Sequence, residues 1–290
     1  MSMTEPGVVE ALFRPRWGGG WTLARVAFAL AAFDCQLDRW WHVRDALASP
    51  NVVFNSGPAH VAERVLVGGP AAWGLWGLGV VGIGGLLYGG RFAKPGLWVW
   101  VLAYAALLAT CGLNVRVPER FIVWAVVGLS LGPIGVRGLL TGRASPFGRY
   151  FLLVVYGSLY LSTGMMKALE EGAWWDGTAL AYDLMDRWHA GGWFPTWLSG
   201  QPLLCAVASW TTIAFEVGFS FLVGFRRLSA WVLAAGIGMH LSIDVLMEVG
   251  PLGVMAMSLY PVLLDPEAGR RLWMRVAARW PGVARRVESW

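Results

Sequence analysis

Apolar residues in this chain fall in long blocks, not in strict alternation or narrow stripes. A membrane-crossing helix needs about 20 mostly apolar residues. Eight blocks approach that length: Trp21–Asp38, Pro70–Gly89, Gly96–Leu113, Phe121–Val136, Phe147–Leu169, Leu203–Gly224, Leu228–Met247 and Pro251–Leu264. The fourth and eighth are the shortest. The pattern predicts an all-α, polytopic membrane protein with about eight transmembrane helices. Two connections are long, Arg39 to Gly69 and Glu170 to Pro202, and both contain tryptophans.

The second long connection carries DGTALAYDLMDRW, with an Asp at its start and apolar residues at helical spacing. It reads as a short helix lying at the exterior membrane interface. The tail, RRLWMRVAARWPGVARR, interleaves Arg with Trp, Leu, Met and Val. It reads as a surface helix touching anionic lipid headgroups. The expected organisation is therefore a multi-helix transmembrane domain over 1–264 and a basic amphipathic cytoplasmic tail over 265–290. There is no internal repeat and no low-complexity linker.

Composition narrows the class. Hydrophobic residues make up 57% and charged residues 14%, against about 25% charged in a soluble domain. That excludes a soluble enzyme, a disordered chain and a disulfide-rich secreted module. The 19 tryptophans suit indoles at lipid–water boundaries. The formal net charge is +5, but the bases are scattered between apolar blocks, so no nucleic-acid-binding face is expected. With the N-terminus inside, fifteen Lys and Arg fall on the cytoplasmic side and seven outside, with Arg25 in the first span. This asymmetry predicts both termini cytoplasmic in the inner membrane and an even number of spans. The N-terminal stretch does not read as a signal peptide. Cys35, Cys111 and Cys205 sit in apolar segments without CxxC spacing, so neither a disulfide framework nor a metal site is expected.

Ionisable groups at membrane depth cost about 2.5–3.5 kcal/mol on insertion scales, which makes them functional candidates. Arg25 near the start of the first span either snorkels to headgroups or forms an internal ion pair. Asp34 and Asp38 share one face near the end of that span, where solvation is the simpler explanation. Lys167 ends the run YFLLVVYGSLYLSTGMMK. A lysine withdrawn from water gives up its proton more readily and can serve as a base; a helix-end lysine reaching outward is the alternative. Glu216 lies mid-span and needs a partner or a proton. His240 and Asp244 are one turn apart, so the carboxylate can orient the imidazole, or the two can link helices structurally. Two ligands alone are a weak metal signal. Walker, dinucleotide-binding and GxSxG motifs are lacking.

The segment YLSTGMMKALEEGAWWDGTALAYDLMDRW resembles the signature of the horizontally transferred transmembrane domain. That domain is the membrane part of vitamin K-dependent gamma-glutamyl carboxylases and their bacterial relatives. The matching positions are Gly164, Lys167, Trp174, Asp176 and Gly177. Glu216, the turn FRRLSAW and His240 match further along, and GGWTLARVAFAL with Arg25 is similar to the family's first helix. The resemblance implies Lys167 as the base that deprotonates vitamin K hydroquinone or a related quinol. Oxygenation then yields the strong base that takes a γ-proton from a substrate glutamate before carbon dioxide is captured. It further implies Glu216, His240 and Asp244 as supporting catalytic groups, and Tyr160, Gly164, Trp174 and Asp176 as cofactor-binding.

The chain also departs from the carboxylase pattern. It ends at Trp290, where carboxylases continue into a large soluble domain. NVRVPERF, with Glu119 and Arg120, stands where they carry an Asn–His pair. Short bacterial relatives, such as the membrane protein that matures a sporulation-delaying toxin, are the nearer analogue. They imply a secreted peptide substrate and a small partner protein. Two other readings are a non-catalytic membrane chaperone for such a peptide and an ion-coupled transporter using Asp34, Glu216 and Asp244. The transporter reading is weakened by the absence of a repeat or paired broken helices.

Overall fold

In a bilayer, backbone N–H and C=O groups must pair internally, so long apolar segments fold as helices. The computed structural model describes residues 15–48, 69–110, 117–135, 143–170, 172–185, 193–247 and 252–282, without the side chains of 38–48, 69–71, 108–110 and 117–120. Within these residues every predicted apolar block is mainly helical, although the fourth ends as helix at Leu131 and gives way to turn over 132–135. The elements are β1 (Arg16–Trp17), α1 (Gly19–Ala48), α2 (Gly69–Tyr88), α3 (Ala93–Thr110), α4 (Val117–Leu131), β2 (Arg143–Ala144) and α5 (Phe147–Leu169). They continue as α6 (Thr178–Met185), α7 (Trp193–Ser199), α8 (Pro202–Leu222), α9 (Ser229–Leu246), α10 (Leu252–Ser258), α11 (Tyr260–Leu263) and α12 (Pro266–Arg279). The protein is all-α apart from the two-residue antiparallel ladder of β1 and β2, in which Arg16 pairs with Ala144.

Among the described residues three helices are long and apolar enough to cross a membrane: Phe147–Leu169, Pro202–Leu222 and Ser229–Leu246. Shorter apolar helices cover Ala72–Tyr88, Phe121–Leu131 and Leu252–Leu263. Large apolar side chains such as Val81, Leu102, Val154, Phe221, Trp231 and Val245 are exposed. Such surface belongs against hydrocarbon, and the protein is a membrane protein.

Three features differ from the sequence pattern. Helix α1 runs on to Ala48, into the first long connection, whose remaining residues lie outside the described ones along with Cys111. The eighth block breaks at Leu259, because Pro261 in the first turn of α11 cannot donate a helical hydrogen bond and its ring crowds the preceding turn. Helix α7, WFPTWLS, is too short and aromatic to show a period. The segments DGTALAYDLMDRW and RRLWMRVAARWPGVARR are helical over α6 and over the part of α12 that they contain.

The described residues separate into two compact units. One holds the residues up to Gly148 and from Arg270 onward. Its α2 and α3 lie in backbone contact: a Cβ at Gly82 would stand 2.5 Å from the Trp100 nitrogen, and one at Gly96 2.5 Å from the Gly82 oxygen. Small residues permit such close helix pairs. Gln36 of α1 and Trp76 of α2 exchange hydrogen bonds, Gln36 Nε2 to the Trp76 carbonyl at 2.9 Å and Trp76 Nε1 to the Gln36 carbonyl at 2.8 Å. Arg25 is 1% exposed and packs against Gly89 instead of snorkelling to a surface. Asp34 is exposed on α1, and the Asp38 side chain lies outside the described ones.

The other unit, Arg149–Gly269, contains α6 to α11, nearly all of α5 and the start of α12. Arg149 donates to the Leu263 carbonyl at 3.0 Å, and Tyr156 donates to the Ala256 carbonyl at 2.6 Å. These bonds fasten α5 to the α10–α11 segment.

Candidate functional site

Residues four, four and three apart along a helix share one face. On α5 this spacing aligns Tyr156, Tyr160, Gly164 and Lys167; the two tyrosines and Gly164 are buried and Lys167 is half-buried. On α8 it aligns Ser209, Ile213, Glu216 and Ser220, the first three buried. The two faces meet. Ser220 donates to the Gly157 carbonyl at 2.7 Å. Two turns further, a Cβ at Gly164 would lie 2.9 Å from Glu216 Cβ and 3.1 Å from the Val217 nitrogen. Glycine is the residue that fits there, and it brings the helices close enough for the next polar contact.

That contact is Lys167 Nζ donating to Glu216 Oε1 at 2.5 Å. The side chains are 21% and 8% exposed. The second carboxylate oxygen, Glu216 Oε2, is buried with no hydrogen-bond partner among the described residues. The Trp174 ring covers the amine at 5.2 Å from its centroid, a cation–π distance.

Trp174 is held by a loop with specific backbone demands. Gly172 and Gly177 take φ of +77° and +83°, values that favour glycine. A Cβ at Gly177 would also meet the backbone of Cys205 and Ala206 at the start of α8. Trp175 donates to the Ala168 carbonyl at 2.9 Å, and Trp210 donates to the Trp175 carbonyl at 2.7 Å. Asp176 accepts from the Thr178 backbone N–H at 2.9 Å and from its hydroxyl at 2.6 Å. It is solvent-exposed, and those Thr178 bonds, the hydroxyl first, hold its carboxyl below the usual range. Asp176 thus turns the chain into α6 and lies away from the polar stripe.

A second polar layer sits along the same stripe. The Tyr160 hydroxyl is 2.5 Å from His240 Nε2 and 2.9 Å from the Tyr260 hydroxyl. Tyr160 precedes Lys167 by seven residues, roughly 10 Å along the helix. Phe219 and Phe215, which flank Glu216 on α8, pack on the Tyr160 ring at 4.4 and 5.6 Å between centroids. Gly236, one turn before His240 on α9, makes room for Tyr260: a Cβ there would lie 2.6 Å from its hydroxyl.

The structure therefore joins Lys167 to Glu216 under Trp174 at Gly164, and joins Tyr160 to His240. Asp244 lies half-buried one turn from His240, its Oδ1 2.7 Å from where a Gly253 Cβ would stand, at the join of α9 and α10. Sequence reasoning missed Tyr156, Phe215, Phe219 and Tyr260. Tyr156 was legible as the residue one turn before Tyr160. Tyr260 was not, since only folding brings it to Tyr160. Among the described residues no cluster of three His, Cys, Asp or Glu side chains has metal-binding proximity.

No protein-family model, curated protein or solved structure matches this chain.

Proposed function

We propose that this protein is a membrane-embedded, carboxylase-like enzyme that uses a quinol-type lipid cofactor to mature a secreted peptide, with Lys167 as its base. In this reading eight helices span the inner membrane, both termini are cytoplasmic, and the Lys167 end of α5 faces the exterior. The observation that carries it is the Lys167–Glu216 pair, built by close helix packing at Gly164 and roofed by Trp174.

The residues present fit a quinol. Its hydroxyl is a donor, and Glu216 Oε2 is a buried acceptor with no partner among the described residues. Phe215 and Phe219, which flank Glu216 on α8, form an apolar aromatic cluster with Tyr160 along the same stripe. A bound quinol supplies reducing electrons and, with oxygen, a base strong enough for a carbon-bound proton. In its neutral form Lys167 would accept the hydroxyl proton, and Glu216 would then hold the resulting ammonium and balance its charge. The Trp174 ring covers one side of the amine. Tyr160 and His240 hold one proton between phenol oxygen and Nε2 at the next layer.

Purified protein in lipid nanodiscs, given vitamin K hydroquinone, oxygen, labelled bicarbonate and glutamate-containing peptides, tests the assignment. Label incorporation that disappears in Lys167→Ala is the expected result. Turnover that survives this change overturns Lys167 as base.

A non-catalytic role as a peptide-holding partner draws on a different observation, the exposed aromatic side chains Trp193, Phe194 and Trp197 of α7. Normal peptide maturation in a Lys167→Ala strain, with loss in Trp193→Ala/Trp197→Ala, favours that reading.

A further inference from the structure

Helix α12 carries two adjacent rows of exposed side chains. Arg271, Arg275 and Arg279 are spaced one turn apart and are all exposed. Leu272, Val276 and Trp280 follow the same spacing one position on, and are 57%, 38% and 58% exposed. The basic row contains two like-charged pairs four residues apart, an arrangement that destabilises a helix in water. Its acidic residue is Glu267 in the first turn.

An anionic surface relieves the arginine repulsion, and an apolar boundary beside it takes up the Leu–Val–Trp row. A soluble polyanion would satisfy the arginines and leave Leu272, Val276 and Trp280 wet. A phospholipid surface offers both chemistries side by side. We infer that α12 docks on anionic phospholipid headgroups, with Arg271, Arg275 and Arg279 on the phosphates and Leu272, Val276 and Trp280 in the acyl boundary.

The start of this helix is tied to the helices that carry the candidate site. Asp265 Oδ1 accepts from the Ala268 N–H at 3.0 Å, a helix-capping bond, and lies 3.4 Å from Arg226 Nε. The Asp265 N–H donates to the Ser229 hydroxyl at 3.3 Å. Arg226 lies in the turn between α8 and α9, and Ser229 is the first residue of α9; these two helices bear Glu216 and His240. The first turn of α12 and the polar layers thus share one support, although the docking does not depend on the proposed chemistry.

Amide hydrogen exchange of the full chain tests this in two kinds of vesicle, phosphatidylcholine alone and equimolar phosphatidylcholine and phosphatidylglycerol. Each arginine at an anionic surface contributes about fivefold in occupancy, so the row contributes about a hundredfold. Exchange across 268–279 should slow by up to that factor in anionic vesicles, and added salt should reverse it. R271Q/R275Q/R279Q should remove the difference, because glutamine keeps helix propensity and drops the charge. R271K/R275K/R279K should retain it. Equal exchange in the two vesicles overturns the inference. So does protection that survives the glutamine changes, or that the lysine changes abolish.

Discussion

Lys167 Nζ lies 2.5 Å from Glu216 Oε1, two ionisable groups on different helices with little exposure to water. Removing one partner of such a pair leaves the other buried alone, which costs about 3–5 kcal/mol, whereas replacing both with apolar residues of similar size is often neutral. Lys167→Met and Glu216→Leu should each destabilise the protein by several kcal/mol, and the double substitution should recover most of the loss. Unfolding in detergent micelles measures this as a double-mutant cycle. Additive losses would show that the two side chains do not act as a pair.

Gly164 sets the spacing that makes the pair possible. A methyl group there would sit 2.9 Å from Glu216 Cβ and 3.0 Å from Val217 Cγ2. Gly164→Ala should therefore separate α5 from α8, cost about 1–3 kcal/mol and lower any activity that needs Lys167. Gly238→Ala is the matched control, because nothing lies within 4 Å of a Cβ there. It should be neutral or stabilise by up to about 1 kcal/mol. A loss at Gly238 equal to that at Gly164 would refute the packing argument.

Much of this arrangement was legible in the sequence, for different reasons at different residues. The apolar blocks announced the helices because a membrane leaves the backbone no other way to pair its polar groups. Lys167, Glu216 and His240 stood out because charge and imidazole are costly at that depth. Their partners were harder to read. Asp244, one turn from His240, was the neighbour that the sequence offered for its imidazole; the structure adds the Tyr160 hydroxyl at Nε2, 80 positions earlier in the chain. Asp176 matched a family motif, while its Thr178 bonds assign it to the turn into α6. Periodicity reports which residues share a face, and only packing decides what that face meets.

Tyr160 sits between His240 and Tyr260, so its hydroxyl serves two buried partners at once. Tyr160→Phe removes the hydroxyl and keeps the ring against Phe219. Leaving a buried polar group unpaired costs about 1–3 kcal/mol. The expected loss is toward the upper end, since both His240 and Tyr260 lose a partner. Tyr160→Phe combined with His240→Leu should cost less than the sum of the two single changes. Thermal unfolding of the four proteins decides it, and strict additivity would mean that the Tyr160–His240 bond contributes nothing.

Asp176 gives a pH-dependent test outside the three long apolar helices. Its carboxyl is held below the ordinary value of 3.8 by the Thr178 hydroxyl and N–H. A depressed native value means that the charged form favours the folded turn. The contribution is present above about 3.8 and disappears as pH falls through the lower native value. Amide exchange in α6, which begins at Thr178, should therefore speed up on acidification below that range. Asp176→Asn keeps a carbonyl oxygen for both Thr178 bonds and cannot titrate. Its α6 should exchange at a rate independent of acid pH, after correction for the intrinsic chemistry of exchange. An acid-induced opening of equal size in Asp176→Asn would place the sensitivity on another group and remove Asp176 from control of the turn.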